Sequence, residues 1–319
     1  MLINIYSDIN EKAYDCYQKS IMILAEYYKC NYKMIALGGW GFRHEPISSF
    51  LGQNIRYYRR ENIDSVIDKY CEYFLDYLAA DENNLGELKI FIIDYLKNNI
   101  PVKIRSDLFW CPWNMAYQKY HFTHFFLIIG YVEKTDVFIC YDPYINNKII
   151  EVPFDDIKSG IKGISTFNIK ESAFSLSDLY DDVLDDINCY IDKNSSLSLH
   201  NIFTFANDLK QHLDIANELT NYNKDLFAVP LLDNIRIICI NRYSYVHLLN
   251  YVYEKTMDAK FKNAASALYA CANEWEKVRS KLIKYTMIPH SDTMKAEIAD
   301  VITRIGEREY ITAESILKN

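Results

Sequence analysis

Four short runs rich in β-branched and aromatic residues most constrain the fold of this 319-residue chain. They read "IPVKIRSD", "THFFLIIGYV", "DVFICYD" and "KIIEVP", and they all lie between residues 100 and 153. Runs of this length and composition are typical of β-strands, and a short connection such as "EKTD" favours antiparallel pairing. The sequence therefore predicts an antiparallel sheet in this part of the chain.

Helical periodicity predominates on both sides of the predicted sheet. Upstream, "YDCYQKSIMILAEYYKC" has apolar residues at helical spacing behind a capping Asp15, and residues 61–79 and 84–99 also have helical patterns. Downstream, we predict helices over 175–192, 197–220, 231–256, 258–286 and 293–308. The predicted fold class is α+β, with one domain over 1–170 and a helical domain over 171–319.

Composition excludes several classes of protein. The 35 Lys and Arg residues against 43 Asp and Glu give a net charge of −8, whereas a general nucleic-acid binder needs a basic field. No apolar run approaches the roughly 20 residues of a membrane span, and the first residues do not resemble a secretion signal. We therefore expect a cytoplasmic protein with no nucleic-acid or membrane partner.

The eight cysteines are scattered, with no CxxC pair, so neither a disulfide framework nor a metal site is predicted. Cys16 is unusual because it falls in the first turn of a predicted helix, where the dipole and the free backbone N–H groups favour a thiolate. A cysteine at such a place is a candidate nucleophile.

A base and an orienting carboxylate for this nucleophile are found in one predicted hairpin. His124 begins its first strand and Asp142 ends its second, so the two side chains can meet across the ladder. Cysteine, histidine and aspartate in this order carry the roles of nucleophile, base and orienter in a papain-like triad. Each residue alone has an ordinary alternative, as a core thiol, a structural histidine and a turn aspartate. Their conjunction predicts a catalytic triad.

Five segments of the sequence together resemble a known family. They are "DCYQKSIMILAEYY", "GGWGF", "IPVKIRSDLFWCPW", "YHFTHFFLIIGY" and "VFICYDP", within roughly residues 5–160. The set is similar to the amino-terminal domain of the H-type acyltransferases of butirosin biosynthesis, which are relatives of the C39 cysteine peptidases in the papain-like superfamily. In the C39 relatives the catalytic histidine stands six residues before a glycine, as His124 stands before Gly130.

The resemblance implies a papain-like fold, in which an amino-terminal catalytic helix packs on an antiparallel sheet and a helical region follows. It also implies an oxyanion donor at Asn10, six residues before Cys16, where the C39 peptidases have a glutamine. Asparagine offers the same N–H donors on a shorter side chain. The alternative for Asn10 is an Asx turn or a cap ahead of the helix.

The reaction that the resemblance implies is transfer of an acyl group from the phosphopantetheine arm of a carrier protein to a small-molecule amine. The enzyme itself would need no cofactor. The predicted helical domain and the "GGWGFRHEP" loop are the parts available to cover the site. The candidate substrate-binding residues are aromatic or polar and stand in the loops near the predicted sheet: Trp40, Phe42, Asp107, Trp110, Trp113 and His121. For the aromatic residues the alternative is a place in the core. For Asp107 it is capping of a turn, and for His121 it is a surface position beside Tyr120.

Two other functions are compatible with these residues. A C39-like peptidase would use the same triad on a peptide bond, and a non-catalytic binding protein would keep the fold with an inert cysteine. A narrower form of the transferase hypothesis also follows from the resemblance, because similar enzymes act in thiotemplated assembly of peptide-like metabolites. One such product is the polythioamide closthioamide, in which an amide is formed to a diamine.

Overall fold

The computed structural model describes residues 1–5, 12–56, 63–81, 83–143, 145, 148–171, 175–220, 222, 225–288 and 291–318, with Arg56 described for its backbone alone. Tertiary contacts divide the chain into two compact units. The first comprises Met1–Ile35 and Ile63–Ala173, and the second comprises Ala36–Asn62 and Phe174–Asn319. The predicted division at residue 170 differs from these units in one segment, because residues 36–62 group with the helical part of the chain.

The helices and strands alternate in the first half of the chain, and the second half is helical. The helices are α1 (Cys16–Tyr27), α2 (Leu51–Asn54), α3 (Ile63–Tyr70), α4 (Leu85–Lys97), α5 (Phe154–Ile157), α6 (Leu176–Ile191), α7 (Asn201–His212), α8 (Ile215–Thr220), α9 (Pro230–Thr256), α10 (Ala259–Met287) and α11 (Asp292–Leu317). The strands are β1 (Arg43–His44), β2 (Ile55–Arg56), β3 (Tyr73–Ala79), β4 (Val102–Asp107), β5 (Thr123–Val132), β6 (Val137–Asp142), β7 (Lys148–Pro153) and β8 (Ile161–Ile169).

The first unit is built on a six-stranded antiparallel sheet in the order β3-β8-β4-β5-β6-β7. The middle strands carry its core, since Ile104, Phe126 and Cys140 are fully buried. Helix α1 packs on β5. Burying a side chain the size of Ile or Phe stabilises the fold by about 1.5–3 kcal/mol, so these strands hold the framework on which the site is built.

The structure confirms the α+β class and corrects two of the predicted helices. The helix predicted over 197–220 is divided into α7 and α8. Residues 61–79 were predicted to be helical throughout, but α3 ends at Tyr70 and β3 follows it. Strand β3 pairs along its length with β8, which was not among the predicted strands. The ring of Tyr73 on β3 stacks on that of Phe167 on β8 at 3.9 Å between centroids. Pairing with a strand about 90 residues away thus outweighs the helical propensity of the segment.

The second unit contains a fully buried ion pair between Arg242 on α9 and Glu309 on α11. The guanidinium donates to both carboxylate oxygens through Nε and Nη2, at 3.1 and 3.0 Å. The indole N–H groups of Trp40 and Trp275 also donate to this carboxylate, at 3.0 and 2.8 Å. A buried charge is tolerated when its partners satisfy it in this way. The cluster therefore joins α9, α10, α11 and residue 40 through one carboxylate.

None of the described helices combines the length and the apolar composition that crossing a membrane requires.

Candidate active site

Cys16 is the first residue of α1, and the residue before it caps the helix. The Asp15 carboxylate accepts from the backbone N–H of Gln18 at 2.8 Å, and the Gln18 side chain accepts from the N–H of Asp15 at 3.1 Å. This reciprocal capping box fixes where the helix begins. The half-buried Cys16 thiol therefore stands at the positive end of the helix dipole.

His124 and Asp142 meet across the neighbouring strands β5 and β6. The Nε2 atom of His124 lies 2.7 Å from Oδ2 of Asp142, and both side chains are buried, at 2% and 0% exposure. The Trp113 indole N–H donates to the same Oδ2 at 2.9 Å, and the backbone N–H of Ile145 donates to Oδ1 at 3.3 Å. With this many donors the carboxylate is held in place as an anion.

The charge state of His124 is set by its two acidic neighbours. Burial lowers the pKa of His124, but hydrogen bonds to Asp142 and Cys16 and the negative charges of both groups outweigh it and raise the pKa to about 10. Because Nε2 is bonded to Asp142, Nδ1 is the ring nitrogen that remains for Cys16. The arrangement places a charged imidazolium beside the Cys16 thiol at neutral pH, the pairing that activates a cysteine nucleophile.

The pH dependence of Cys16 alkylation follows from this pair. We expect iodoacetamide to alkylate Cys16 nearly as fast at about pH 6 as at about pH 8, because His124 stays protonated over this range. In His124→Gln the rate at about pH 6 should fall at least roughly tenfold. Peptide mass spectrometry of timed reactions measures both rates. Identical profiles in the two proteins, each rising as for an ordinary thiol, would show that the pair does not form.

The raised pKa of His124 also makes the stability of the folded protein depend on pH. A pKa above the ordinary histidine value means that the charged ring stabilises the folded protein, fully below about pH 6.5 and progressively less as pH rises toward about 10.

The other cysteines lack such a setting. Burial raises the pKa to about 12 in four of them: Cys71, Cys111, Cys239 and Cys271. It raises the pKa of Cys140 well above the ordinary value. Burial also raises the pKa of Cys30, and Cys189 lies 3.0 Å from the Ser195 hydroxyl. Cys16 is thus the thiol whose neighbour is a histidine base.

Two of the predicted substrate-binding residues form a second histidine–aspartate pair. The Nδ1 atom of His121 lies 2.6 Å from Oδ2 of Asp107, and the ring of His121 stacks on that of Phe109 at 4.3 Å. The Asp107 carboxylate also caps the turn that follows β4, by accepting from the N–H of Phe109 at 3.1 Å. The side chains of His121 and Asp107 are 68% and 17% exposed, so the histidine end of this pair is open to solvent. Asp107 and Thr123, the neighbour of His124, are register partners on β4 and β5.

The four predicted aromatic residues fall in different places. Trp113 is bonded to Asp142 and packs edge-on against Phe126 at 5.2 Å, so it helps to hold the carboxylate that is predicted to orient His124. Trp110 is half-buried in the turn after β4, where its Cβ packs closely against Gly160.

Trp40 and Phe42 belong to the core of the second unit. Trp40 lies beside Tyr245 at 5.4 Å, Phe42 stacks on Trp275 at 5.8 Å, and both are buried. This is the core role that the sequence analysis gave as their alternative. Asn10 lies outside the described residues, so its part in an oxyanion hole stays a prediction.

Sequence analysis missed two residues near the triad. One is Trp113 as a partner of Asp142. An irregular loop, whose path no sequence pattern predicts, brings its indole to the carboxylate. The other is Lys103, which is 2% exposed in the middle of β4. A lysine within an apolar strand, as in "IPVKI", is the signal that could have identified it.

Among the residues that the structure describes, no group of three or more His, Cys, Asp or Glu side chains is placed to hold a metal ion.

Comparison with known proteins supports the papain-like relationship. Residues 49–161 match the Peptidase_C39 like family, a stretch that contains His124 and Asp142 and ends at the start of β8. No curated protein sequence matches the chain significantly. With its amino-terminal helix, its antiparallel sheet and the helical region that follows, the chain has a papain-like cysteine-protease fold.

Proposed function

We propose that the protein is a cysteine-dependent acyltransferase that forms amide bonds, and that Cys16, His124 and Asp142 are its catalytic triad. The observation that carries this proposal is the buried His124–Asp142 pair. The His124 ring also interacts with the thiol of Cys16 at the start of α1. The match to the Peptidase_C39 like family supports cysteine chemistry of this general kind. The resemblance to the butirosin-type enzymes supports transfer to an amine.

In the proposed reaction, the Cys16 thiolate attacks the carbonyl carbon of a thioester carried on a phosphopantetheine arm. The tetrahedral oxyanion takes hydrogen bonds from the backbone N–H of Cys16 and from Asn10. Its collapse breaks the bond to the carrier sulfur, which leaves as a thiol with the proton of His124. An acyl-Cys16 thioester and a neutral His124 remain, and no cofactor takes part.

The second half of the reaction uses the same groups in reverse. An amine attacks the acyl-Cys16 carbonyl, and His124 accepts the proton that the nitrogen loses. Collapse of this intermediate expels the Cys16 thiolate beside a protonated His124 and releases the amide. Asp142 keeps the ring oriented and stabilises its charge in both halves. The step from thioester to amide supplies the driving force.

The Asp107–His121 pair is the proposed site for the incoming amine. Most amines are protonated at neutral pH, and Asp107 offers a carboxylate to an ammonium group while His121 can accept its proton. The histidine end of the pair is open to solvent, so a small molecule can reach it. Trp110, half-buried beside this turn, offers an apolar surface to the acyl chain. The partners are therefore an acyl or peptidyl carrier protein and a small-molecule amine, within the cytoplasm.

The family match favours one alternative, a C39-like cysteine peptidase. Such an enzyme would form the same acyl-Cys16 intermediate from a peptide bond and pass it to water. The two functions differ in the acyl donor and in the acceptor, so substrates separate them. A peptidase turns over an unactivated amide, and the proposed transferase requires a thioester and an amine.

The test is the intact mass of the wild-type protein and of Cys16→Ala after mixing with a simple acyl thioester, first alone and then with a diamine. We expect a mass increase of one acyl group on the wild type alone, which disappears when the diamine is added and amide product appears. Cys30 is half-buried like Cys16, but the charged group that acts on its thiol is Glu72 and not a histidine, so Cys30→Ala is the matched control and should acylate as the wild type does.

Each other outcome favours a different function. An adduct that water releases as fast as the diamine does would exclude the transferase. Cleavage of an unactivated peptide would establish the peptidase, and no adduct and no product on either protein would favour a non-catalytic binding protein. Product with diamines in preference to monoamines would support the narrower proposal of a thiotemplated, polythioamide-type synthesis.

A further inference from the structure

Lys103 is a buried cation beneath the catalytic helix. It lies in the middle of β4, between Leu127 on β5 and Ser165 on β8. Its Nζ stands over the ring of Tyr17, 3.7 Å from the centroid, and 5.1 Å from the centroid of Phe125. Tyr17 directly follows Cys16, so the ammonium lies under the first turn of α1.

The charged and titratable groups around Lys103 come from two helices and its own strand. From α1 and its cap they are Cys16 and Asp15, and from α3 it is Asp64, which accepts a hydrogen bond from the Tyr17 hydroxyl at 2.5 Å. On β4 itself Arg105 lies two residues on, with an exposed side chain. The neighbouring positions on β5 and β8 carry no charge.

These surroundings make Lys103 titrate near neutrality. Burial lowers its pKa to about 7, and the negative charges of Asp64, Cys16 and Asp15 offset part of the loss. Coupling between two charges is reciprocal, so a thiolate that favours the ammonium form of Lys103 is itself favoured by that ammonium. The aromatic rings of Tyr17 and Phe125 keep water from screening the interaction.

We propose that Lys103 is a positioning residue whose buried positive charge stabilises the thiolate of Cys16, so that the reactivity of the nucleophile depends on a second proton besides that of His124. This inference rests on the proposed role of Cys16 as nucleophile. Lys103 touches neither substrate nor the reacting atoms and acts through the field at the start of α1.

The proposal predicts a particular pH dependence. Below about pH 7 Lys103 and His124 are both charged and both favour the thiolate. As pH rises through about 7, Lys103 loses its charge while His124 keeps its own, so support for the thiolate weakens before the ring deprotonates.

The experiment measures the rate at which iodoacetamide alkylates Cys16 in Lys103→Met, a substitution of similar length that removes the charge. We expect the rate at about pH 6 to fall about five- to tenfold and the difference to vanish above about pH 9. Arg105→Met is the matched control, because it removes an exposed cation two positions along the same strand, and it should alter the rate less than about twofold. A Lys103→Met profile that matches the wild type at every pH would overturn the proposal.

A second measurement does not depend on the folding of Lys103→Met. NMR of protein labelled at the lysine ε-carbons follows the titration of Lys103 itself, whose signal Lys103→Arg identifies. Cys16→Ser removes the thiolate, so the midpoint of Lys103 should move to lower pH. A midpoint that Cys16→Ser leaves unchanged would show that the two groups are not coupled. Neither measurement uses an acyl donor, so failure of acyl transfer and failure of this proposal are distinguishable.

Discussion

Asp142→Asn should lower the rate of acyl transfer to an amine by about 10³- to 10⁴-fold, the loss that follows removal of the orienting carboxylate in a triad. The amide cannot reproduce the contacts of Asp142, because the His124 ring and the Trp113 indole share Oδ2 while the N–H of Ile145 uses Oδ1, and an amide has one oxygen for these two places. With its oxygen toward Ile145, the NH₂ group would face the Trp113 indole N–H and would require Nε2 of His124 to accept. In that orientation the proton of a neutral ring would sit on Nδ1, toward Cys16, and the ring could not act as its base. In the opposite orientation the NH₂ group would face the N–H of Ile145, and the imidazolium would lose the negative charge that stabilises it.

Trp113→Phe is the matched control for this result. It removes one hydrogen bond to Asp142 and leaves the carboxylate and its bond to His124 in place. A net loss of about 1 kcal/mol corresponds to a rate lower by less than roughly tenfold. Rates come from single-turnover decay of the acyl-enzyme at saturating amine. If Asp142→Asn lost no more than Trp113→Phe, the carboxylate would not be the orienter of the base.

Glu309→Gln should lower the free energy of unfolding of the second unit by about 3–5 kcal/mol, the cost of breaking a buried ion pair from one side. The substitution keeps the shape of the side chain but leaves Arg242 as an uncompensated buried charge. It also turns one acceptor oxygen into a donor that faces N–H groups of Arg242 and of Trp40 or Trp275.

Urea denaturation followed by circular dichroism and tryptophan fluorescence measures this loss. The matched control is Glu307→Gln on the same helix, where the side chain is exposed and a change within about 0.5 kcal/mol is expected. Equal stability of Glu309→Gln and the wild type would mean that the cluster does not hold the helices together. Replacing both Arg242 and Glu309 by Leu should recover only part of the loss, because the two indole N–H groups would still lack their acceptor.

Local sequence patterns were sufficient to predict the elements that carry the site. The capping signal at Asp15 placed the start of α1, and the hairpin pattern placed His124 and Asp142 on adjacent strands, because strand alternation and turn chemistry act over a few residues. The same reasoning missed β3 and β8. The Leu, Tyr, Asp and Ala residues of β3 are compatible with a helix, and pairing with the distant β8 decides its conformation.

The individual side-chain contacts of the site could not be predicted from local sequence patterns. Trp113 was predicted to line a substrate tunnel, yet its indole bonds to Asp142 because the loop after β4 brings it there. Trp40 and Phe42 precede the predicted sheet in the sequence, but their burial depends on helices that lie more than 100 residues further along the chain. The roles of the triad and of the Asp107–His121 pair stay predictions that the experiments above address.

Because residues 36–62 belong to the second unit, the first unit is not one continuous segment of the chain, and this limits how it can be recombined or expressed alone. The chain passes from one unit to the other at residues 35–36, 62–63 and 173–174. A fragment cut after residue 171 would therefore carry Trp40 and Phe42 without the helices that bury them, and those rings would favour aggregation. The first unit cannot be exchanged between proteins as one uninterrupted stretch. A recombination event that transfers the first unit has two possibilities. It must also transfer the helices of the second unit, or it must replace residues 36–62 separately, with junctions at 35–36 and 62–63.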